Sequence, residues 1–229
     1  MKRICLYIGL VFTACSAAFA TPSTQIWNPS SDIQGVKTFH LGIDDYYSVS
    51  ENDTKAYQFA TDVNFTYGLV TNLEVGVDIF EPSADPLQFN IKYGFPEGDK
   101  MPAFGVGVMN MGTKSDVTNY NIMYVVAAKT FKPLPRLSVG YYSGNDKLLV
   151  DENSEKANTG LILSLDKQLS DKVWASIDYS SGKSWYGVSS AGVSYSFAPN
   201  TSVIFGYVVY NNDKVNLNNQ FTTQLDINF

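Results

Sequence analysis

The 229 residues carry 17% charged and 14% aromatic side chains, with 15 Tyr and 14 Phe against 3 Trp, and a formal net charge of −6. That balance suits strands and interfaces rather than helices, and the length fits one large domain. No Lys/Arg cluster is present to neutralise phosphates, which excludes a nucleic-acid partner.

The chain opens "MKRICLYIGLVFTACSAAFATPS". Lys2 and Arg3, an apolar run from Ile4 to Phe12 and the small-residue site Ala18-Phe19-Ala20 make residues 1–20 a secretory signal peptide, too short to span a bilayer, with cleavage after Ala20. Lipidation at Cys15 is the rival processing; Phe12, where such sites usually carry Leu, weakens it. Both cysteines, Cys5 and Cys15, lie in this leader, so the exported chain is expected to hold no disulfide. Residues 21–34, "TPSTQIWNPSSDIQ", combine two Pro, several Ser/Thr and Trp27. They read as a periplasmic tether or as a plug folded into a barrel with Trp27 on an inward tyrosine, and the Pro-rich polar composition favours the tether.

From residue 35 to residue 229 the signal is period-two alternation. Tyr57, Phe59, Val63, Phe65, Tyr67 and Leu69 share one face while Gln58, Asp62, Asn64, Thr66 and Gly68 share the other. Leu73, Val75, Val77 and Ile79 repeat the pattern, as do Leu87, Phe89, Ile91, Tyr93 and Phe95, then Leu161, Leu163 and Leu165, then Val173, Ala175, Ile177 and Tyr179. The opposite face is rich in Gly, Ser, Asn and isolated charges, not in the Lys and Glu of a soluble surface. With an export signal in front, this predicts an all-β fold: a transmembrane antiparallel up-and-down barrel, apolar face to lipid, polar face to the lumen. Turn signals divide it into about twelve strands, alternatively ten, starting near Gly35, Ala56, Asn72, Pro86, Pro102, Thr118, Arg136, Ala157, Lys172, Trp185, Thr201 and Leu217. The tight links "VTN", "PEGDK", "KPLP", "SDK" and "PN" are assigned to the periplasmic side, and the longer "SENDTK", "GTKSD" and "GNDKLLVDENSEK" to the outside. Tyr46, Tyr47, Tyr57, Tyr120, Tyr142, Tyr179 and Trp185 are expected at the outer rim, and Tyr67, Tyr93, Phe95, Phe197 and Phe229 at the inner one. The sixth strand, "NYNIMYVVAAKTF", reads either way round; placing Tyr120, Ile122, Tyr124 and Val126 outward turns Lys129 to the lumen.

The chain ends "QFTTQLDINF", with Phe221, Leu225, Ile227 and Phe229 on the apolar face. This resembles the carboxy-terminal signature of bacterial outer-membrane β-barrel proteins, in which a final aromatic with apolar residues two and four places earlier is read by the assembly machinery. The segments "TPSTQIWNPSSDIQ", "TNLEVGVDIF" and "FAPNTSVIFGY" are also similar to an uncharacterised family of small bacterial outer-membrane barrels. The resemblance covers nearly the whole exported chain. It implies topology, a cell outer-membrane location, and lipids and the barrel assembly machinery as partners; it implies no activity.

Candidate chemistry is sparse. The single His40 falls on the lumen face, where a hydrogen-bonded position is expected rather than the lipid-facing base of a hydrolase. One His without exported Cys cannot build a zinc site, and "DENSEK" reads as a solvated loop before a calcium loop, so no metal or cofactor is expected. Inward charges sort into two layers. Glu74, Lys92, Lys129, Arg136, Asp166 and Asp226 lie toward the periplasmic end as a balanced set able to network across the pore. Asp44, Asp62, Asp78 and Asp178 lie farther out with no basic partner. The turn Val70-Thr71-Asn72 sets Gly68 opposite Glu74 and Asn64 opposite Asp78, which leaves Asp62 diagonal to Asp78 at about 7–8 Å. The expected function is a small cation-preferring channel for ions or small polar solutes, non-enzymatic. A scaffold barrel with a closed lumen is the alternative, and an outer-membrane lipid hydrolase a third reading.

Overall fold

The computed structural model describes residues 23–48, 58–215 and 218–229. The leader with Cys15 and Ala20, residues Ala56, Tyr57 and Leu217, and the whole "SENDTK" link lie outside the described residues. The strands are β1 (Phe39–Ser48), β2 (Phe59–Val70), β3 (Leu73–Glu81), β4 (Leu87–Phe95), β5 (Ala103–Gly112), β6 (Asn119–Thr130), β7 (Arg136–Ser143), β8 (Thr159–Ser170), β9 (Val173–Ser180), β10 (Val188–Ala198), β11 (Thr201–Tyr210) and β12 (Gln220–Asn228). Each begins at or close to the turn signal that predicted it. All neighbours pair in chain order and β1 pairs with β12, so the sheet is a closed antiparallel barrel.

Alternation dictates which way the barrel turns its surfaces. Phe65, Ile79, Ile91, Val106, Leu163, Ile177 and Phe205 point outward and are exposed, while Ser164, Ser176, Ser190, Ser194, Ser202 and Gln224 point inward and are buried. A soluble protein distributes these residue types the other way round. In lipid this distribution is the stable one, because closure pairs the ladder groups of every strand and leaves no edge. The β2–β3 register is the one the turn predicted, with Gly68 opposite Glu74 and Asn64 opposite Asp78. At the seam, the Phe39 N–H donates to the Phe229 carbonyl at 3.1 Å and the Phe229 N–H to the Phe39 carbonyl at 2.9 Å. Aromatic rings collect at this end: Phe39 stacks on Tyr67 at 4.4 Å, Tyr93 meets Phe95 edge-on at 5.3 Å, and Phe197 and Phe229 stand exposed. At the other end Tyr47 stacks on Phe59 at 6.5 Å and on Phe221 at 5.9 Å.

Three expectations are corrected. In β6 it is Met123 and Val125 that are exposed, while Ile122, Tyr124 and Val126 are buried inside. They pack with Tyr142, Leu149, Ile162 and Tyr186 in an apolar cluster that fills this side of the lumen, so both faces of β6 meet apolar surroundings and alternation carries no sign. Lys129 consequently lies off the lumen. Its ammonium instead reaches Glu97 at 3.0 Å and the Gly98 and Asp99 carbonyls at 2.7 and 3.1 Å in the β4–β5 turn. Four of the aromatics assigned to the outer rim, Tyr46, Tyr120, Tyr142 and Trp185, also turn inward, Tyr120 and Trp185 against that cluster and Tyr46 onto Trp27.

Ile91 sits mid-strand on the outward face at 40% exposure, whereas Gln88 on the same strand is buried opposite Asp78. Ile91→Arg is expected to lower the unfolding free energy of the liposome-inserted barrel by about 2–4 kcal/mol. Gln88→Arg, which gains a carboxylate neighbour, is expected to cost much less. Urea titration of the two variants checks the inside-outside assignment, and equal losses would refute it.

Candidate functional site

The lumen is divided by the chain's own amino-terminal segment. Residues 23–34 lie inside the barrel, where composition had favoured a tether: Ile26 and Asn28 are fully buried. Proline and serine content signals a lack of autonomous structure, but here the barrel wall supplies the partners that the segment lacks by itself. The Asp178 Oδ2 atom accepts the backbone N–H groups of Ile26, Trp27 and Asn28 at 2.8, 2.9 and 3.3 Å. Asn28 donates to the Leu163 and Tyr179 carbonyls, both at 3.2 Å, and accepts from Ser180. Gln224 donates to the Ile26 carbonyl at 2.9 Å. Facing Gly192 and Gly206 form the seat of the Ile26 side chain; a Cβ on Gly192 would come within 2.7 Å of its Cδ1. The segment leaves the lumen at Gly68, whose hypothetical Cβ would lie 1.9 Å from the Gly35 carbonyl oxygen, and the Lys37 N–H bonds the Gly68 carbonyl at 2.7 Å.

The predicted lumen charges fall mostly on this plug. Arg136 holds Asp32 through both terminal nitrogens at 2.7 and 2.8 Å and reaches Ser31 at 2.9 Å. Asp166 accepts from Gln25 at 2.9 Å and from the Trp174 indole at 3.2 Å. Glu74 accepts from the Ser23 hydroxyl at 2.8 Å and the Gln34 N–H at 2.6 Å, and pairs with Lys92 at 3.1 Å. Asp226 lies apart at the seam, 3.4 Å from His40, whose other ring nitrogen is 3.3 Å from Asn228. These residues do not form one network spanning the pore; they fall into small groups, Glu74 with Lys92 and Arg136 with Lys129 through Glu97, and most of them bond residues 23–34. In the β4–β5 turn, partial desolvation of Glu97 works against ionisation. The Thr130 N–H and Lys129 outweigh it and pull the carboxyl down to about 2, fixing the turn beside Arg136.

The other half of the lumen is a cavity of about 730 Å³. Gln58, Ser83 and Thr118 mark its outer mouth, and the Glu74–Lys92 pair with Ser23 its floor. Asp44, Asp62 and Asp78 stand together on its wall: Asp44 is the cross-strand partner of Asp62, and Asp62 is diagonal to Asp78 through the Asn64–Asp78 pair. Asn64 donates to Asp44 at 3.1 Å and Asn90 to Asp78 at 2.7 Å. No ion pair among the described residues reaches these carboxylates. Asp178, grouped with them from the sequence, is separated from them and engaged by the plug. The adjoining wall is aromatic, with Trp27 edge-on to Tyr46 at 5.7 Å and to Trp185 at 6.1 Å, and 6.3 Å from Tyr186. The sequence raised Trp27 on an inward tyrosine, as it lies against Tyr46, but gave no sign of Trp185 and Tyr186 beside it. Among the described residues, no group of three or more His, Cys, Asp or Glu side chains converges as metal ligands would. In "DENSEK", Asp151 accepts the N–H groups of Asn153 and Glu155 at 2.9 and 3.0 Å, an Asx turn that its carboxylate closes by itself.

A closed barrel of twelve strands with a polar, partly open lumen defines the class: it is the fold of outer-membrane porins. No family model and no curated protein matches the sequence. Among solved structures the chain is similar to NanC porin, at 11% identity and a TM-score of 0.53 over 81% of this chain and 97% of that one. It is similar to KdgM porin at 11% identity and 0.57, covering 82% and 99%, and to an outer membrane channel from Pseudomonas putida F1 at 9% and 0.51, covering 86% and 97%. At these identities the likeness is one of fold.

Asp178→Ala removes the acceptor of three consecutive N–H groups. Docking of the plug is expected to weaken by at least the about 1.5–3 kcal/mol that one hydrogen bond to a charged group contributes. Limited trypsin digestion should then cut at Lys37 in the folded variant and spare the parent, with the barrel itself still heat-modifiable on gels.

Proposed function

We propose that the protein is a small outer-membrane channel that prefers cations and passes ions or small polar solutes without catalysis. One observation carries this: the open half of the lumen is walled by Asp44, Asp62 and Asp78, with no counter-charge on them among the described residues. Adjacent carboxylates repel, and a mobile cation relieves the repulsion at no cost in protein rearrangement, as acidic rings do in cation-selective pores. The porin neighbours support a pore-like reading of the fold. His40 supports the non-enzymatic one, because it is buried between Asn228 and Asp226 and turned away from lipid.

The same reading takes residues 1–20 as the export signal cut after Ala20, residues 21–34 as the plug, and residues 35–229 as the membrane barrel. It takes Phe221, Leu225, Ile227 and Phe229 as the signal read by the barrel assembly machinery. Deleting Phe229 should leave export intact and lower the folded, heat-modifiable fraction in the outer membrane. Full assembly of the truncated chain would remove the signal from the account.

A second reading, a scaffold barrel with a closed lumen, is favoured by the floor that Glu74, Lys92 and Ser23 build beneath the cavity. Planar-bilayer recording separates the two. The channel reading expects conductance steps and a reversal potential of cationic sign in a potassium chloride gradient, moved toward zero by Asp62→Asn with Asp78→Asn. Absence of steps favours the scaffold, and an anion-selective reversal potential overturns the cation preference.

A further inference from the structure

The cavity sets two kinds of wall side by side that an ion pathway alone does not require together. We infer that it is a binding site for a small organic ammonium, its charged head on Asp44, Asp62 and Asp78 and its carbon substituents against the rings of Tyr46, Trp27 and Tyr186. This deepens the channel reading and rests on its acidic half-lumen.

The juxtaposition follows from the register. Asp44 and Tyr46 are next neighbours on the inward face of β1. Asp62 stands opposite Asp44, and diagonal to Tyr46 through the Tyr46–Ala60 pair. Carboxylates and rings therefore share one edge of the wall, with Trp27 continuing it 5.7 Å from Tyr46. Ring faces attract ammonium groups and also accept their carbon substituents, a combination that water-sized metal ions cannot exploit. The three carboxylates are spread along three strands and, among the described residues, do not converge as chelating ligands, which suits a large diffuse cation.

An independent observation points the same way. Tyr186 is 2% exposed and lines the cavity, yet its hydroxyl has no hydrogen-bond partner. The indole N–H groups of Trp27 and Trp185 and one oxygen each of Asp44 and Asp62 are in the same condition. Buried polar groups are ordinarily paired. Donors and acceptors left open around one cavity of about 730 Å³, within the usual range for small-molecule sites, define a polar ligand with both a cationic and a hydrogen-bonding end.

Choline is a suitable probe. It would be titrated calorimetrically into the full mature barrel folded in detergent, beside its uncharged analogue, in which carbon replaces the quaternary nitrogen, and beside potassium at matched ionic strength. Choline is expected to bind at least about tenfold more tightly than either. Asp44→Asn with Asp62→Asn should weaken choline by a similar factor and leave the analogue unchanged, while Tyr46→Leu should weaken choline and leave potassium unchanged. Equal binding of choline and its analogue, equal binding of choline and potassium, or no binding of choline overturns the inference. If the Asp variants fail to fold, the three-ligand comparison on the unmodified protein decides. The assay needs no current: a barrel that conducts cations but ignores choline loses this site and keeps the channel, and one that binds choline without conducting does the reverse.

Discussion

A twelve-stranded barrel encloses more volume than the side chains of its own wall can fill, and the rest of this structure answers that constraint. Eight strands bring opposite walls close enough for side chains to meet; twelve do not. Here the amino-terminal segment supplies the missing matter on one side, held by a carboxylate that accepts three consecutive backbone N–H groups from it. The segment has no ladder partners of its own along most of its length, and buried backbone without partners is not tolerated. Asp178, Gln224 and Glu74 supply those bonds, and the small residues Gly192 and Gly206 supply the room.

That arrangement makes the interior asymmetric. Against β6 to β8 the lumen is filled, with Ile122, Val126, Tyr142 and Ile162 packed as a core would be. Against β1 to β4 it is open and acidic. The plug is the partition, and Trp27 belongs to both sides, touching the apolar cluster while its ring faces neighbours that line the cavity. The open cavity and the packed side of the lumen are thus not separate layers of the molecule; the residue that seals one compartment shapes the other.

Much of the fold was legible because alternation is strong wherever one face is lipid and the other polar. β2, β3, β4, β8, β9 and β12 show it cleanly, and the short β2–β3 turn was enough to place Asp62 beside Asp78. Legibility failed where the lumen is not polar. In β6 both faces are apolar, so the choice between them rested on Lys129, a side chain long enough to leave the strand and find Glu97 in a turn. The inward Tyr46, Tyr120, Tyr142 and Trp185 failed for the same reason: a ring that belongs to an internal aromatic wall has the same composition signature as one in a membrane girdle. The plug was raised but not favoured, since its partners lie across the barrel and composition reports only what a segment can do alone. The acidic site was half legible. Asp44, Asp62 and Asp78 came together as their faces required, whereas Asp178 was grouped with them because sequence cannot show that its oxygen is already engaged.

The plug's attachments have a temporal side. Ser23 and Gln34 reach Glu74 across 51 and 40 residues, but Ile26 reaches Asp178 across 152 and Gln224 across 198. Contacts at such separations form only after the intervening loop entropy has been spent. Residues 23–34 are therefore among the last to find their place. They do so next to the seam where Phe39 and Phe229 exchange hydrogen bonds. Shutting that seam turns an open sheet into a vessel, and whatever the amino-terminal segment has not yet bound on the inner wall must be bound from within.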